Sequence, residues 1–445
     1  MKRLATLIAA LLSSVAMTIF AGQPQSSVPA NQGPVYVIRA GRLIDPENGS
    51  AASDQTIVVQ NGRIAAIGKN PAVPVQAETI DLSQLSVLPG LVDAHTHLAM
   101  SMKRGVENSL LLTYIQQPTA LRAIQAVSNG IQMLSAGFTV VRDMGNNGLY
   151  ADTALRTAIE QGWVPGPTVV NAGIIIGGLG GQFSFTPEMG NQHNLVYPEY
   201  LEADTPDEIV KAVHQNILYG AKFIKVCVDC KPYVYSLEDL KLFVKEASNA
   251  GLKVAGHVQT EEGARRAIAA GFWSLEHDIA MTDEIHKLMA KQGVWRVGTE
   301  EPFTSYTGSQ AAFDRTVALI KNAHANGVKM AFSTDIASYV PGMTRGERAI
   351  DFLKSWKAAG IPDKEILKIM TINGYKLATI DGERGPLKVG FPADLIAVKG
   401  NPLDDVDALR SVVFVLKDGL VFKRDGIMTP EKFFHSGPVS SASTH

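Results

Sequence analysis

The chain has 445 residues, of which 46% are hydrophobic and 19% charged, with a formal net charge of -2. That is enough chain for a large core, and the balance excludes a wholly disordered or polytopic membrane protein. Without a basic excess there is nothing to neutralise a phosphate backbone or an anionic bilayer, so a small molecule or peptide is the expected partner rather than nucleic acid.

Lys2 and Arg3 precede an apolar run from Leu4 to Phe20 that ends in the small residues Ala21 and Gly22. This pattern predicts a secretory signal peptide over 1–21, too short for a membrane span, and hence a periplasmic or secreted protein with no membrane attachment after cleavage. From Val35 to Leu82 short β-rich runs alternate with turn signals, and Asn61-Gly62 between two apolar runs predicts a hairpin. The same texture returns in Ala393–Val398 and Val412–Gly419. One β-sandwich domain built from both chain ends, 22–87 and 386–428, is therefore expected, followed by a tail over 429–445.

Over 88–385, apolar strand candidates ending near His95, Asp143, Asn171, Lys225, His257, His277, Thr299 and Asp335 alternate with helical periods. Helices are expected at Thr119–Ser135, Pro206–Tyr219, Leu237–Ala250, Glu261–Ala270 and Asp314–Asn326. This rhythm predicts an α/β protein, a (β/α)₈ TIM barrel with parallel strands.

His95 and His97 lie two residues apart at the end of an apolar run, so on a strand both imidazoles face the same way. Lys225, His257, His277 and Asp335 each end another strand candidate. All six would project from the face where barrel active sites are built, offering nitrogen and oxygen donors of the kind zinc binds. His193, His214, His286, His324, His435 and His445 fall elsewhere and receive no ligand role.

These features resemble the amidohydrolase superfamily over nearly the whole mature chain. The resemblance is carried by Pro89-Gly90-Leu91-Val92-Asp93-Ala94-His95-Thr96-His97, by Gly137–Asp143, by Asn373-Gly374 and by Gly390–Asp394. It implies a hydrolase of amide C–N bonds with two divalent ions, zinc being expected. His95, His97 and Asp335 would hold one ion, and His257 and His277 the other. Lys225 resembles the lysine that such enzymes carboxylate with carbon dioxide to make a bridging carbamate, since a free ammonium has no lone pair to offer. Paired cations lower the pKa of a shared water, giving a bridging hydroxide, and Asp335 would be the catalytic proton shuttle.

Within the superfamily the pattern is similar to prolidase-like, Xaa-Pro and N-acyl-amino-acid carboxypeptidases, and to amidohydrolases that open amide-linked ochratoxin. The expected substrate is then a dipeptide or N-acyl amino acid with a free carboxylate, and a homo-oligomer is expected. Tyr233, Tyr235 and Arg345 are the candidate substrate-binding residues by position. Relatives often carry a histidine in the glycine-rich loop where this chain has Leu179. Two alternatives stand beside this reading: a cyclic-amide hydrolase of imidazolonepropionase type or a deaminase, with one metal, and a non-catalytic barrel that binds without cleaving. Finally, Cys227 lies two residues beyond Lys225 and Cys230 three further on. The pair would either form a structural disulfide, the favoured outcome, or leave a thiol able to capture a soft metal.

Overall fold

The computed structural model describes residues 33–102, 110–183, 193–302 and 309–429. The expected export segment 1–21 and the tail beyond Thr429 lie outside these residues. The chain opens with β1 (Tyr36–Asp45), β2 (Ser50–Gln60), β3 (Arg63–Gly68) and β4 (Glu78–Pro89). Asn61 and Gly62 have φ values of 49° and 74°. Both positions of the two-residue turn are thus left-handed, which the Asn-Gly pair tolerates and the β2–β3 hairpin requires.

Next come β5 (Leu91–Thr96), β6 (Phe138–Asp143), β7 (Thr168–Asn171), β8 (Ile175–Gly177), β9 (Tyr200–Glu202), β10 (Ile224–Cys227), β11 (Val254–His257), β12 (Ser274–Glu276), β13 (Trp295–Val297) and β14 (Lys329–Met330). Helices fill most of the intervals. Those at Thr119–Ser135 and Glu261–Ala270 coincide with expectation, while Pro206–Leu218 and Leu237–Ser248 stop slightly short of it. The helix at Gln310–Ala325 begins earlier than its hydrophobic period suggests, because the Ser309 side chain accepts from the Ala312 amide and caps it.

The parallel strands form two ladders, β5-β6-β7 and β14-β13-β12-β11-β10-β8-β9. The uninterrupted ring of eight strands expected for the barrel is therefore not what the hydrogen bonds build. At one seam, single bonds join Ala94 N to Phe332 O and Asp335 N to His95 O, both 2.8 Å; at the other, Lys222 N meets Asn171 O at 2.7 Å. His277, Thr299 and Asp335 have φ values of 68°, 54° and 52°, a left-handed conformation that no strand can continue through. β12 and β13 stop at Glu276 and Val297, and β14 stops at Met330, well before Asp335.

The chain closes with β15 (Leu395–Val398), β16 (Val412–Lys417), β17 (Leu420–Arg424) and β18 (Ile427–Met428). Both chain ends meet in a single eight-stranded sheet, ordered β18-β17-β16-β15-β4-β1-β2-β3, rather than in two separately bonded layers. The β4–β15 pairing is antiparallel, with Leu395 opposite Pro89 and Ile396 opposite Leu88. Ile38, Ile57, Ile80, Leu395 and Phe414 form a buried cluster on this sheet. β4 then runs into β5 through Gly90, where a Cβ would lie 1.9 Å from Thr139 Oγ1, so only glycine fits.

Candidate functional site

His95, the second-last residue of β5, has no exposed surface. Its Nδ1 lies 2.8 Å from Glu276 Oε2, which fixes the ring, and its Nε2 is buried with no hydrogen-bond partner. Glu276 is itself held by the Ser274 hydroxyl at 2.6 Å and by Arg142 at 3.5 Å. His97, two residues on, places Nδ1 2.6 Å from the Gly145 carbonyl. A carbonyl only accepts, so Nδ1 carries the proton and Nε2 presents a lone pair.

That lone pair faces Asp335 Oδ1 at 3.2 Å, and His95 Nε2 faces the same oxygen at 3.5 Å. Acceptors converging in this way repel unless a positive charge lies among them, whether a proton or a metal ion. Burial is the largest influence and works against a proton on His97, but its bond to Asp335, the charges of Asp335 and Asp143 and the bond to Gly145 together outweigh it and hold the ring above its ordinary pKa. Asp335 shows the reciprocal effect: burial would raise it, yet the charges and hydrogen bond of His95 and His97 bring it below the usual carboxylate range. The donor atoms of His95, His97 and Asp335 all lie within 4.8 Å of one another, as one cation would need.

His277 continues the arrangement. Its ring centroid is 4.8 Å from that of His95 and 4.4 Å from that of His257, and its Nδ1 lies 3.1 Å from Thr299 Oγ1. Burial first, and neighbouring positive charge second, drive His257 down to about 3 and push His95 and His277 well below 6.5. Three neutral imidazoles are the protonation state a metal requires, and His257 Nε2 meets the amide nitrogens of Gln259 at 2.9 Å and Gln182 at 3.3 Å. Lys225, in β10, is 2% exposed, and its Nζ is buried with no hydrogen-bond partner. Burial lowers it to about 8, against the pull of Glu276 and Asp335. An ammonium left so isolated is costly.

The structure thus brings together all six residues expected at the site, around a cavity of about 200 Å³. Five of them line it directly, joined by Met100, Asn146, Ile175, Gln182, Cys227 and Ala337, while His95 stands behind. The expected substrate-binding residues are placed differently. Tyr235 is buried and donates its hydroxyl to the Ala203 carbonyl at 2.6 Å. Tyr233 is 46% exposed and donates to Asp204 at 2.6 Å. Arg345 is buried, donating to the carbonyls of His97 at 3.1 Å, Ile336 at 2.7 Å and Met100. None of the three lines the cavity, and Leu179 points outward, 70% exposed.

Among the described residues, the histidines assigned no ligand role have other partners: His193 meets Glu202, His214 meets Glu246, His286 meets Asp278, and His324 meets Glu365, while His435 and His445 lie outside those residues. Sequence reasoning missed Glu276 and Asp93. Asp93 accepts from the Thr334 hydroxyl at 2.7 Å and the His95 amide at 3.1 Å, and so ties the first strand to the turn before Asp335. Burial raises it to about 7. The one signal for Glu276 was its place beside His277. Alternation would send them to opposite faces, and only the left-handed turn at His277 lets both point inward. Cys227 and Cys230 form a disulfide, with Cα atoms 5.6 Å apart.

Residues 86–422 match the Amidohydrolase family. The chain is 28% identical to ochratoxinase of Aspergillus niger, with 91% of this chain and 90% of that protein covered. It is 26% identical to imidazolonepropionase of Thermoanaerobacter pseudethanolicus, over 81% of this chain and 88% of that one. A solved Xaa-Pro dipeptidase with methionine bound in its active site superposes with a TM-score of 0.75 at 28% identity, covering 87% of this chain and 100% of its own. With a match spanning most of its length and the donor cluster at its strand ends, the chain belongs to the amidohydrolase family and is a metal-dependent hydrolase of amide C–N bonds.

Proposed function

We propose that the chain is a binuclear, zinc-dependent hydrolase that cleaves a dipeptide or N-acyl amino acid bearing a free carboxylate. One observation carries the binuclear reading: Lys225 Nζ, buried and without a hydrogen-bond partner, sits among groups able to bind cations. Its lowered pKa leaves part of the amine neutral near pH 8. A neutral amine adds to carbon dioxide and loses a proton, giving a carbamate anion whose oxygens replace a stranded cation with a ligand. His95, His97 and Asp335 would then hold one ion, and His257 and His277 the other.

When bound, the ions supply a water of lowered pKa and polarise the scissile carbonyl. The chain's own residues do the rest. Asp335, about a third exposed at the cavity, accepts the proton from the attacking water and returns it to the leaving nitrogen. Glu276 and the Gly145 carbonyl hold His95 and His97 in the tautomer that turns Nε2 inward. Asn146 and Gln182 bring the amide groups that line the cavity, and Met100 and Ile175 its apolar wall. The substrate class is supported by the likeness to ochratoxinase and to the Xaa-Pro dipeptidase. The wider reading includes a (β/α)₈-type barrel over 88–385 with the two-ended β domain on 22–87 and 386–428, export through 1–21, and a homo-oligomer.

The test is metal analysis beside a kinetic panel of N-acyl amino acids, Xaa-Pro dipeptides and cyclic amides. Two equivalents of metal per chain and cleavage of linear amides are expected. One equivalent with turnover of cyclic amides alone would favour an imidazolonepropionase-like activity instead.

A further inference from the structure

The β10–β11 register sets Cys227 directly opposite His257. The Cys227 and Cys230 sulfurs and an imidazole nitrogen of His257 lie within 4.8 Å of one another, and Cys227 lines the cavity. The two sulfurs are joined in a disulfide, but the bridge is not what holds Cys230 near His257. Asp229, between the cysteines, is buried and accepts from Gln259 N at 2.9 Å, Thr260 N at 2.7 Å and the Thr260 hydroxyl at 2.6 Å. Those bonds clamp the loop after β10 to the loop after β11, independently of sulfur. Opening the bridge therefore leaves two thiols beside an imidazole.

We propose that reduction of the Cys227–Cys230 disulfide converts this corner of the cavity into a soft-cation site, with two thiolates and His257 as ligands. A phosphine supplies the reduction: phosphorus takes the oxygen of one water and is oxidised, its two electrons pass to the sulfurs, and the protons of that water complete two thiols. A d¹⁰ cation such as Cd²⁺ then displaces both thiol protons to solvent, forming two metal–sulfur bonds, the softness match that favours thiolate over carboxylate donors. His257 also belongs to the ligand set proposed for hydrolysis. The soft site rests only on the placement of Cys227, Cys230 and His257, so it stands or falls separately from the hydrolytic reading.

The full-length chain, stripped of metal by a chelator, is titrated with Cd²⁺ before and after phosphine treatment while the ultraviolet thiolate-to-cadmium band is followed. The band is expected to reach one equivalent in the reduced protein, and to be absent both in the untreated protein and in the reduced Cys227→Ser/Cys230→Ser variant. His257→Ala should weaken binding by about tenfold or more, since losing even a partner that only orients a ligand costs that much. Should that variant fold poorly, X-ray absorption of the reduced wild type with Cd²⁺ reads the same point: two sulfurs and one imidazole are expected. A protein with two titratable free thiols but no band, or a cadmium shell without imidazole, overturns the proposal. Hydrolysis by the untreated, zinc-loaded protein is read in a separate assay, and its loss would count against the hydrolytic assignment alone.

Discussion

Glu276 and His95, 181 residues apart in sequence, meet through a 2.8 Å contact in which neither side chain has any exposure. The carboxylate leaves His95 Nδ1 no choice but to donate, so Nε2 is delivered as a lone pair. Glu276→Ala should lower metal affinity by about 10–100-fold, the usual cost of removing a partner that orients a ligating imidazole. Competition against a chromophoric chelator measures it, and unchanged affinity would remove Glu276 from the site.

Lys225→Met should abolish turnover and reduce the metal content below that of the wild type. The same change should stabilise the metal-free protein by about 1–3 kcal/mol, because it replaces a buried amine that has no partner with an apolar chain of similar length. Chemical denaturation of both apoproteins is the measurement. A less stable Lys225→Met apoprotein would mean that the amine is satisfied in a way the geometry does not reveal.

Thr299 is β-branched and held at a φ of 54°, with its hydroxyl 3.1 Å from His277 Nδ1. Left-handed backbone costs such a residue about 1–2 kcal/mol. Thr299→Gly should raise the melting temperature of the metal-free protein while weakening metal binding, the opposite signs marking strain kept for the sake of the site. If both quantities fall together, the turn contributes to stability instead.

Arg345→Met strips donors from three carbonyls next to His97 and Asp335, so it should destabilise the fold by about 2–4 kcal/mol, roughly 1–3 kcal/mol per buried group left unmet with partial relaxation. Tyr235→Phe should cost about 1 kcal/mol for the lost bond to Ala203, with KM unchanged. Urea melts run beside Michaelis constants separate the two roles. A selective rise in KM with an unaltered melt would restore a substrate-binding role to either residue.

The candidate ligand set was legible because strand alternation and strand ends leave marks in sequence: His95 and His97 two apart, His257, His277 and Asp335 each following an apolar run, and Lys225 set as a lone charge inside one. The helices at Thr119–Ser135 and Glu261–Ala270 were legible for the same reason, as their buried faces recur at helical spacing. What stayed hidden depends on backbone atoms. The partners of Arg345 and Tyr235 are carbonyls, which every residue carries, so no residue type announces them. The left-handed turns at His277, Thr299 and Asp335 depend on backbone geometry that the residue pattern did not mark, so the points where β12 and β13 stop were not legible.

The β4–β15 pairing has a consequence for synthesis. The Ser86 hydroxyl meets the Gly400 carbonyl at 2.5 Å, 314 residues away along the chain. Until that distant segment leaves the ribosome, the run from Ser86 to Pro89 that leads straight into His95 is an apolar strand edge with one side unpaired, and such edges recruit other chains. The histidines of the first strand are thus made early but anchored late. A cell producing this protein must keep that edge solitary while some three hundred residues are added, at about 5–20 residues per second. Chaperone protection of that edge during translation is therefore one determinant of the yield of active protein.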